Sequence, residues 1–246
     1  MNGYVTYVNN NPKYQLLSDI LIESILSFSK YDIHVFCINH NKNHSSSRVH
    51  FTNVSLSEET FFSICNIKPL AAIESIFDCG IILDSDVIIT SDLDNLFDEV
   101  DNDLLDVPIA PIHPDDVSIN QEFLNFLGVK SKTQHYVHAD TYIFNKKSTG
   151  FLEECYKVGL DCISKNIIPS VVDETIFNAL LWKQEKTNAY NYVYDPFYEC
   201  FLDFNISNLN KHGYDTSKPI KKYICHGCKD PIQAKQIYDN LLKEKM

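Results

Sequence analysis

A chain of 246 residues with 44% hydrophobic and 12% aromatic content can bury a core of ordinary size in one domain, or in one domain with a small lobe. Thirty-three acids face 21 bases for a net charge of -12, and Arg48 is the sole arginine. Clustered positive charge is therefore missing, which excludes non-specific binding to nucleic acid or to an anionic membrane.

The first residues, MNGYVTYVNN, lack the basic start and apolar stretch of a signal peptide, and no run approaches the roughly 18 apolar residues of a membrane span. The expectation is a cytoplasmic protein with no integral membrane segment. In chain order, GYVTYVN (3–9) reads as a strand and YQLLSDILIESILSFS (14–29) as a helix, with Leu17, Ile20, Leu21, Ile25 and Phe28 at helical spacing. DIHVFCI (32–38) is a second β-prone run, followed by the polar loop NHNKNHSSS and a third strand, RVHFTNV. A helix through KPLAAIESIF and a strand at GIILD continue the alternation. Further strands are expected at 106–112, 141–145 and 190–195, and helices at 151–163, 173–183 and 231–242. Such β-α-β order predicts an α/β fold with a mostly parallel central sheet flanked by helices.

The eight cysteines are scattered and are expected to be buried reduced thiols. Cys225 and Cys228 form CHGC between a strand-like KKYI and a helix-like DPIQAKQIYDNLL. A redox pair belongs near the start of a βαβ unit, and zinc needs a second ligand pair at regular spacing; the sequence offers neither context.

GIILDSDVIIT (80–90) is an apolar run with two acids in its middle, Asp84 and Asp86. In a parallel sheet the carboxyl ends of strands face the ligand crevice, which is where Asp84 falls. In an extended chain residues i and i+2 point to one side, so the two acids converge while Ser85 points away. Two carboxylates about 4 Å apart repel by roughly 1 kcal/mol in water and about 4 kcal/mol at an effective dielectric of 20. A divalent cation removes that repulsion, and hard oxygen ligands suit Mn²⁺ or Mg²⁺. The plainer reading is a strand that exits to the surface with solvated acids. The next segment, SDLDNLFDEVDND, illustrates it: Asp92 and Asp94 follow a possible N-cap at Ser91 and suit the first turn of a helix.

Four stretches, taken together and in order, resemble the GT-A glycosyltransferases, most closely family 8, the glycogenin and bacterial galactosyltransferase type. These are YVTYVNNNPKY (4–14), KPLAAIESIFDCGIILDSDVIITSDLDNLFDE (68–99), VDETIFNALLW (172–182) and ICHGCK (224–229). The resemblance implies a GT-A, Rossmann-like fold in a single domain over 1–246, with a nucleotide-sugar half at 1–100 and an acceptor-side half at 101–246. It further implies a metal-dependent, retaining transfer of a sugar from a UDP-sugar donor to a glycan, protein or lipid-linked saccharide acceptor. Asp84, Asp86 and His226 fall on the positions that hold Mn²⁺, with Mg²⁺ as the alternative. Lys229 falls beside the β-phosphate, and Tyr7, Asn9, Asn10 and Tyr14 fall where the uridine is held. Lys68 occupies the basic position before the D-x-D strand, and Ser85 lies within the D-x-D itself. Asp173 and Glu174 stand where the family has Asp-Gln beside the anomeric carbon, and Asp140 ends HAD where the family has an Asn-(Ala/Ser)-Gly turn; these three are the candidate catalytic residues.

Each residue keeps a structural alternative: Tyr7 as core, Asn10 as a turn starter, His226 as a surface histidine, Lys68 and Lys229 as solvated charges. HGCKDP is shorter than the family's late H-x-x-G-x-x-K-P-W and lacks its tryptophan. Retention by front-face attack and retention through a Glu174 adduct both stay open. Two other functions remain: a haloacid-dehalogenase-type phosphatase, since DSDVI approaches D-x-D-x-[TV], and an inactive sugar-nucleotide or glycan-binding module. The phosphatase motif normally follows a first strand, whereas more than 80 residues precede Asp84.

Overall fold

Strand β1 (Asn2–Val8) is buried over all but its first residue, and its alternate side chains enter two different cores. Tyr4 and Val8 join one apolar cluster, Val5 and Tyr7 the other. That is the pattern of a strand covered on both faces. Helix α1 (Pro12–Phe28) starts where Asn11 accepts a hydrogen bond from the Lys13 amide and Pro12 occupies the first turn, a position that needs no N–H donor. Its Leu21, Ile22 and Ile25 cover the Tyr4 face.

The structure is a computed structural model and describes residues 1–90, 92–94, 97, 106–110, 117–130, 132–133, 136–139, 141–169, 172–184, 198–200, 224–226 and 229–245. Strands β2 (Asp32–Ile38), β3 (Val49–Val54) and β4 (Cys79–Leu83) follow, with the short helices α2 (Phe61–Cys65) and α3 (Ile67–Ile73) between β3 and β4. After β4 come β5 (Ile88–Ile89), α4 (Gln121–Leu127), β6 (Thr141–Asn145), α5 (Thr149–Ser164), α6 (Val172–Gln184), β7 (Tyr198–Cys200), β8 (Ile224–His226) and α7 (Pro231–Lys245).

The main sheet has the order β3-β2-β1-β4-β6. All neighbours are parallel except β6, which runs antiparallel to β4. A small sheet, β5-β8-β7, stands apart from it. Helix α1 covers one face of the main sheet, while α3, α5 and α6 contribute Ala71, Leu152, Phe177 and their neighbours to the cluster on the other. Helix α7 packs on α1, where the Tyr238 hydroxyl meets Ser27 and the Glu23 carbonyl. Among the described residues no helix is long and apolar enough to cross a membrane.

The expected elements of the first 83 residues are present within a residue or two at most ends, as are the strand at 141–145 and the helices near 151, 173 and 231. Two expectations change, and the strand expected at 190–195 lies outside the described residues. The strand expected at 106–112 reduces, over its described part, to a single bridge between Ile109 and Ile143. The second is Asp94, which is no solvated first-turn acid: only 8% exposed, it accepts from the Tyr4 hydroxyl, the Ser29 hydroxyl and the Lys30 amide. The exposed Asp92 accepts from the Asp94 amide at 2.7 Å. Five of the cysteines, Cys37, Cys65, Cys79, Cys155 and Cys162, are buried free thiols, as their scatter suggests. Burial raises those of Cys37, Cys79 and Cys162 to about 11, which keeps them protonated and unreactive.

Candidate active site

Because β1 and β4 are parallel neighbours with Thr6 opposite Leu83, the next residues of each, Tyr7 and Asp84, reach the carboxyl edge together. The Tyr7 hydroxyl donates to Asp84 Oδ1 at 2.9 Å. Beyond Leu83 the chain does not stay extended. The Val87 amide donates to the Asp84 carbonyl at 3.2 Å, so Asp84 to Val87 form a tight turn that redirects the chain into β5 and the small sheet. Asp84 and Asp86 are thus the first and third residues of a turn, not alternate residues of a strand, and alternation does not govern where Ser85 points. The two carboxylates still share surroundings: each raises the half-buried Tyr14 phenol and the Cys65 thiol, behind the larger effect of burial. Asp86 is 8% exposed.

Lys68, on α3, holds this edge together. Its ammonium lies 2.9 Å from Asp84 Oδ1 and 2.7 Å from Asp173 Oδ2, and it donates to the Ala139 carbonyl at 2.9 Å. It also stands 6.0 Å from the centre of the Tyr7 ring. With 2% of its surface exposed, it is no solvated charge. Two carboxylates and a carbonyl surround the ammonium, so what it offers a ligand is chiefly its charge. Burial raises the Asp173 carboxyl, and Lys68 pulls it back down.

Glu174 lies beside this pair in the first turn of α6. Its Oε2 accepts from the Ala139 amide at 3.0 Å and sits 3.5 Å from His138 Nδ1. One turn later Asn178 clamps Val137, accepting from its amide and donating to its carbonyl, both at 2.8 Å. The HAD segment and the start of α6 are therefore one fixed unit, and Glu174 does more than favour the helix dipole. Asp140, its third member, lies outside the described residues.

The other candidates are placed unevenly. Tyr7 is buried with its hydroxyl on Asp84, leaving Tyr14 as the partly exposed ring at this edge. Asn9 and Asn10 lie just past β1, where Asn9 accepts from the Asn11 amide and Asn10 from Gln15 Nε2. Lys229 is exposed ahead of α7 and makes no hydrogen bond or ion pair with the described residues. The side chain of His226 lies outside the described residues, but its backbone is placed. Strands β5 and β8 pair Ile89 with Ile224 and Ile88 with Cys225, so His226, next after Cys225, follows at the Val87 end of that antiparallel pair. Sequence reasoning missed Tyr142, which lines a cavity with Asp173 and Lys68; the one signal was a phenol in the middle of the apolar run TYIFN.

Among the described residues, three carboxylates (Asp84, Asp86, Asp173) gather at this edge around one buried ammonium. Hard oxygen donors suit a divalent cation. Among the described residues no three potential ligand side chains cluster to hold a metal ion.

No protein-family model and no curated protein matches this sequence. Solved structures do. The galactosyltransferase LgtC, bound to donor and acceptor sugar analogues, superposes with a TM-score of 0.61 at 15% identity, over 98% of this chain and 96% of that one. An active-site glutamine-to-glutamate mutant of LgtC gives 0.60 at 16% identity, over 99% and 96%. With the strand order and the helices on both faces, this similarity establishes a GT-A-like Rossmann fold with a mostly parallel central sheet.

Proposed function

We propose that the protein is a metal-dependent glycosyltransferase that moves a sugar from a UDP-sugar to an acceptor hydroxyl with retention of anomeric configuration. One observation carries the reading: Asp84 and Asp86 meet in a turn at the carboxyl edge of the central strands, on a fold similar to that of a galactosyltransferase. Asp84, Asp86 and His226 are the residues that would hold Mn²⁺ or Mg²⁺. A bound cation supplies the positive charge that a nucleoside diphosphate leaving group requires.

The protein's own groups do the rest. Lys68 fixes the Asp84 carboxylate and carries buried positive charge next to the departing diphosphate. Asp173 and Glu174 present carboxylates where an oxocarbenium-like centre forms, Glu174 held in place by the Ala139 amide and His138. Tyr14 offers the base a ring face, with Asn9 and Asn10 beside it. Lys229 can reach a phosphate only as part of the segment ahead of α7. The acceptor, a glycan, protein or lipid-linked saccharide, enters from the side of α5 and α6.

The test is a panel of UDP-sugars with Mn²⁺, read by thermal shift and by UDP release. The expected result is a stabilising shift for one donor and slow UDP release, both abolished by EDTA. Equal UDP affinity with EDTA and with Mn²⁺ contradicts the metal-dependent reading. Binding without turnover under any acceptor would instead mark a sugar-nucleotide-binding module.

A further inference from the structure

Between the main sheet and helices α3, α5 and α6 lies a cavity of about 10 Å³, whose lining includes Asn66, Lys68, Tyr142, Cys155, Asp173 and Phe177. That is the room one water molecule needs. Its wall is mostly apolar, with Pro69, Ile176 and Phe177 among its residues, but Asn66, Lys68, Tyr142 and Asp173 also line it, and a water there needs such polar partners. The Tyr142 hydroxyl is buried and has no hydrogen-bond partner among the described residues. Leaving such a group unpaired is costly, so native folds supply it a partner, often an ordered water.

The geometry around the phenol is fixed. Tyr142 sits opposite Ile82 in the β4–β6 ladder, and its ring stacks on Phe177 with centroids 5.3 Å apart. It cannot swing out to find solvent. Burial drives its pKa far up, so the hydroxyl remains a donor at every working pH. Asp173 Oδ2, also fully covered, is the oxygen that faces Lys68 at 2.7 Å. The opposite wall is equally constrained: Asn66 donates to the Tyr156 carbonyl, and a Cβ at Gly159 would stand 1.8 Å from Asn66 Oδ1.

We propose that Tyr142 is a positioning residue for Asp173, acting through one water molecule bound in this cavity between the phenol and the carboxylate. The water accepts from Tyr142 and donates to Asp173, and Asp173 in turn fixes Lys68 and, through it, Asp84. The kinetic part of this proposal rests on the glycosyltransferase reading; the water site does not.

Two measurements test it. A high-resolution crystal structure of the wild-type protein should show an ordered water within hydrogen-bond distance of both the Tyr142 hydroxyl and the Asp173 carboxylate. A dry cavity, or a water touching neither group, overturns the proposal even if no sugar nucleotide is ever turned over. In steady-state kinetics with the donor found above, Tyr142→Phe should lower kcat about tenfold, the lower end of what loss of a supporting partner costs. Unfolding should remain cooperative, because packing is untouched, and KM for the sugar nucleotide should change less than kcat, because Tyr142 meets no ligand itself. An unchanged kcat, or a loss confined to KM, overturns the positioning role. Should Tyr142→Phe fail to fold, the wild-type density decides.

Discussion

Strand β1 sends a tyrosine to an aspartate at each of its ends, and the two pairs do opposite things. At the amino edge Tyr4 donates to Asp94, whose other partners are the Ser29 hydroxyl and the Lys30 amide. At the carboxyl edge Tyr7 donates to Asp84, whose other partner is the buried ammonium of Lys68, shared with Asp173. Asp94 is saturated by neutral donors, and its charge serves to tie the segment after β5 to the start of β2. Asp84 shares one cation with a second carboxylate, Asp173, and lies two residues from a third, Asp86. The same residue pair thus makes a lock of neutral donors at one edge and a charged cluster at the other. A buried carboxylate is a functional candidate through the charged groups gathered round it, not merely because it is buried.

The largest effect should come from removing the shared cation. Lys68→Met removes the cation that Asp84 and Asp173 share, and breaking a buried pair in this way costs roughly 3–5 kcal/mol. Chemical denaturation should show that loss at pH 7. A second change, Asp173→Asn in the Lys68→Met background, should recover part of it. If Lys68→Met is as stable as the wild type, the carboxyl edge is wetter than its burial indicates.

A crosswise pair of substitutions comes next. Asp94→Ala strands three donors at the amino edge and should cost roughly 2–4 kcal/mol, while Mn²⁺-dependent UDP binding survives in the folded fraction. Asp84→Asn keeps an acceptor for Tyr7 and leaves Lys68 paired with Asp173. It should cost less than about 1.5 kcal/mol and should remove Mn²⁺-dependent UDP binding, as measured by calorimetry. Swapped outcomes, with binding lost at Asp94 and kept at Asp84, would erase the distinction between the two edges.

The sequence exposes these two edges unequally. β1 to β4 and their helices are legible because both-face burial writes continuous apolar runs and α1 writes a helical period. The antiparallel direction of β6 is not legible, because TYIFN would read the same in either direction. β5 and β8 pair over only two residues, too few to leave a pattern. At the site, Asp84 was visible as an acid ending an apolar strand. Lys68 was visible only through resemblance, since its partners Asp84, Ala139 and Asp173 are distant in sequence. Asp94 was misjudged for the same reason. Charge and local capping favour a solvated first-turn acid, and only the folded chain brings Tyr4 and Ser29 to it.

Acid titration sharpens the contrast further, with the smallest effect. Near the amino edge His34 is buried and neutral: one ring nitrogen accepts from the Ile76 amide at 3.3 Å, and Nε2 meets the Thr52 hydroxyl at 2.8 Å. Burial, reinforced by the neighbouring His50, lowers its pKa from 6.5 to about 4. A depressed value means the unfolded chain binds the proton more readily, so this contribution is complete above pH 6.5 and is lost as pH falls toward 4. Between pH 8 and 5.5 the loss is about 1.4 kcal/mol, which moderate denaturant curves can resolve. His34→Gln retains a donor and an acceptor but cannot titrate, so its stability should fall less over that interval than the wild type's. Parallel pH profiles for the two proteins would mean that His34 is already solvated, and that the amino edge is not the dry, neutral lock that distinguishes it from the site at the other end of β1.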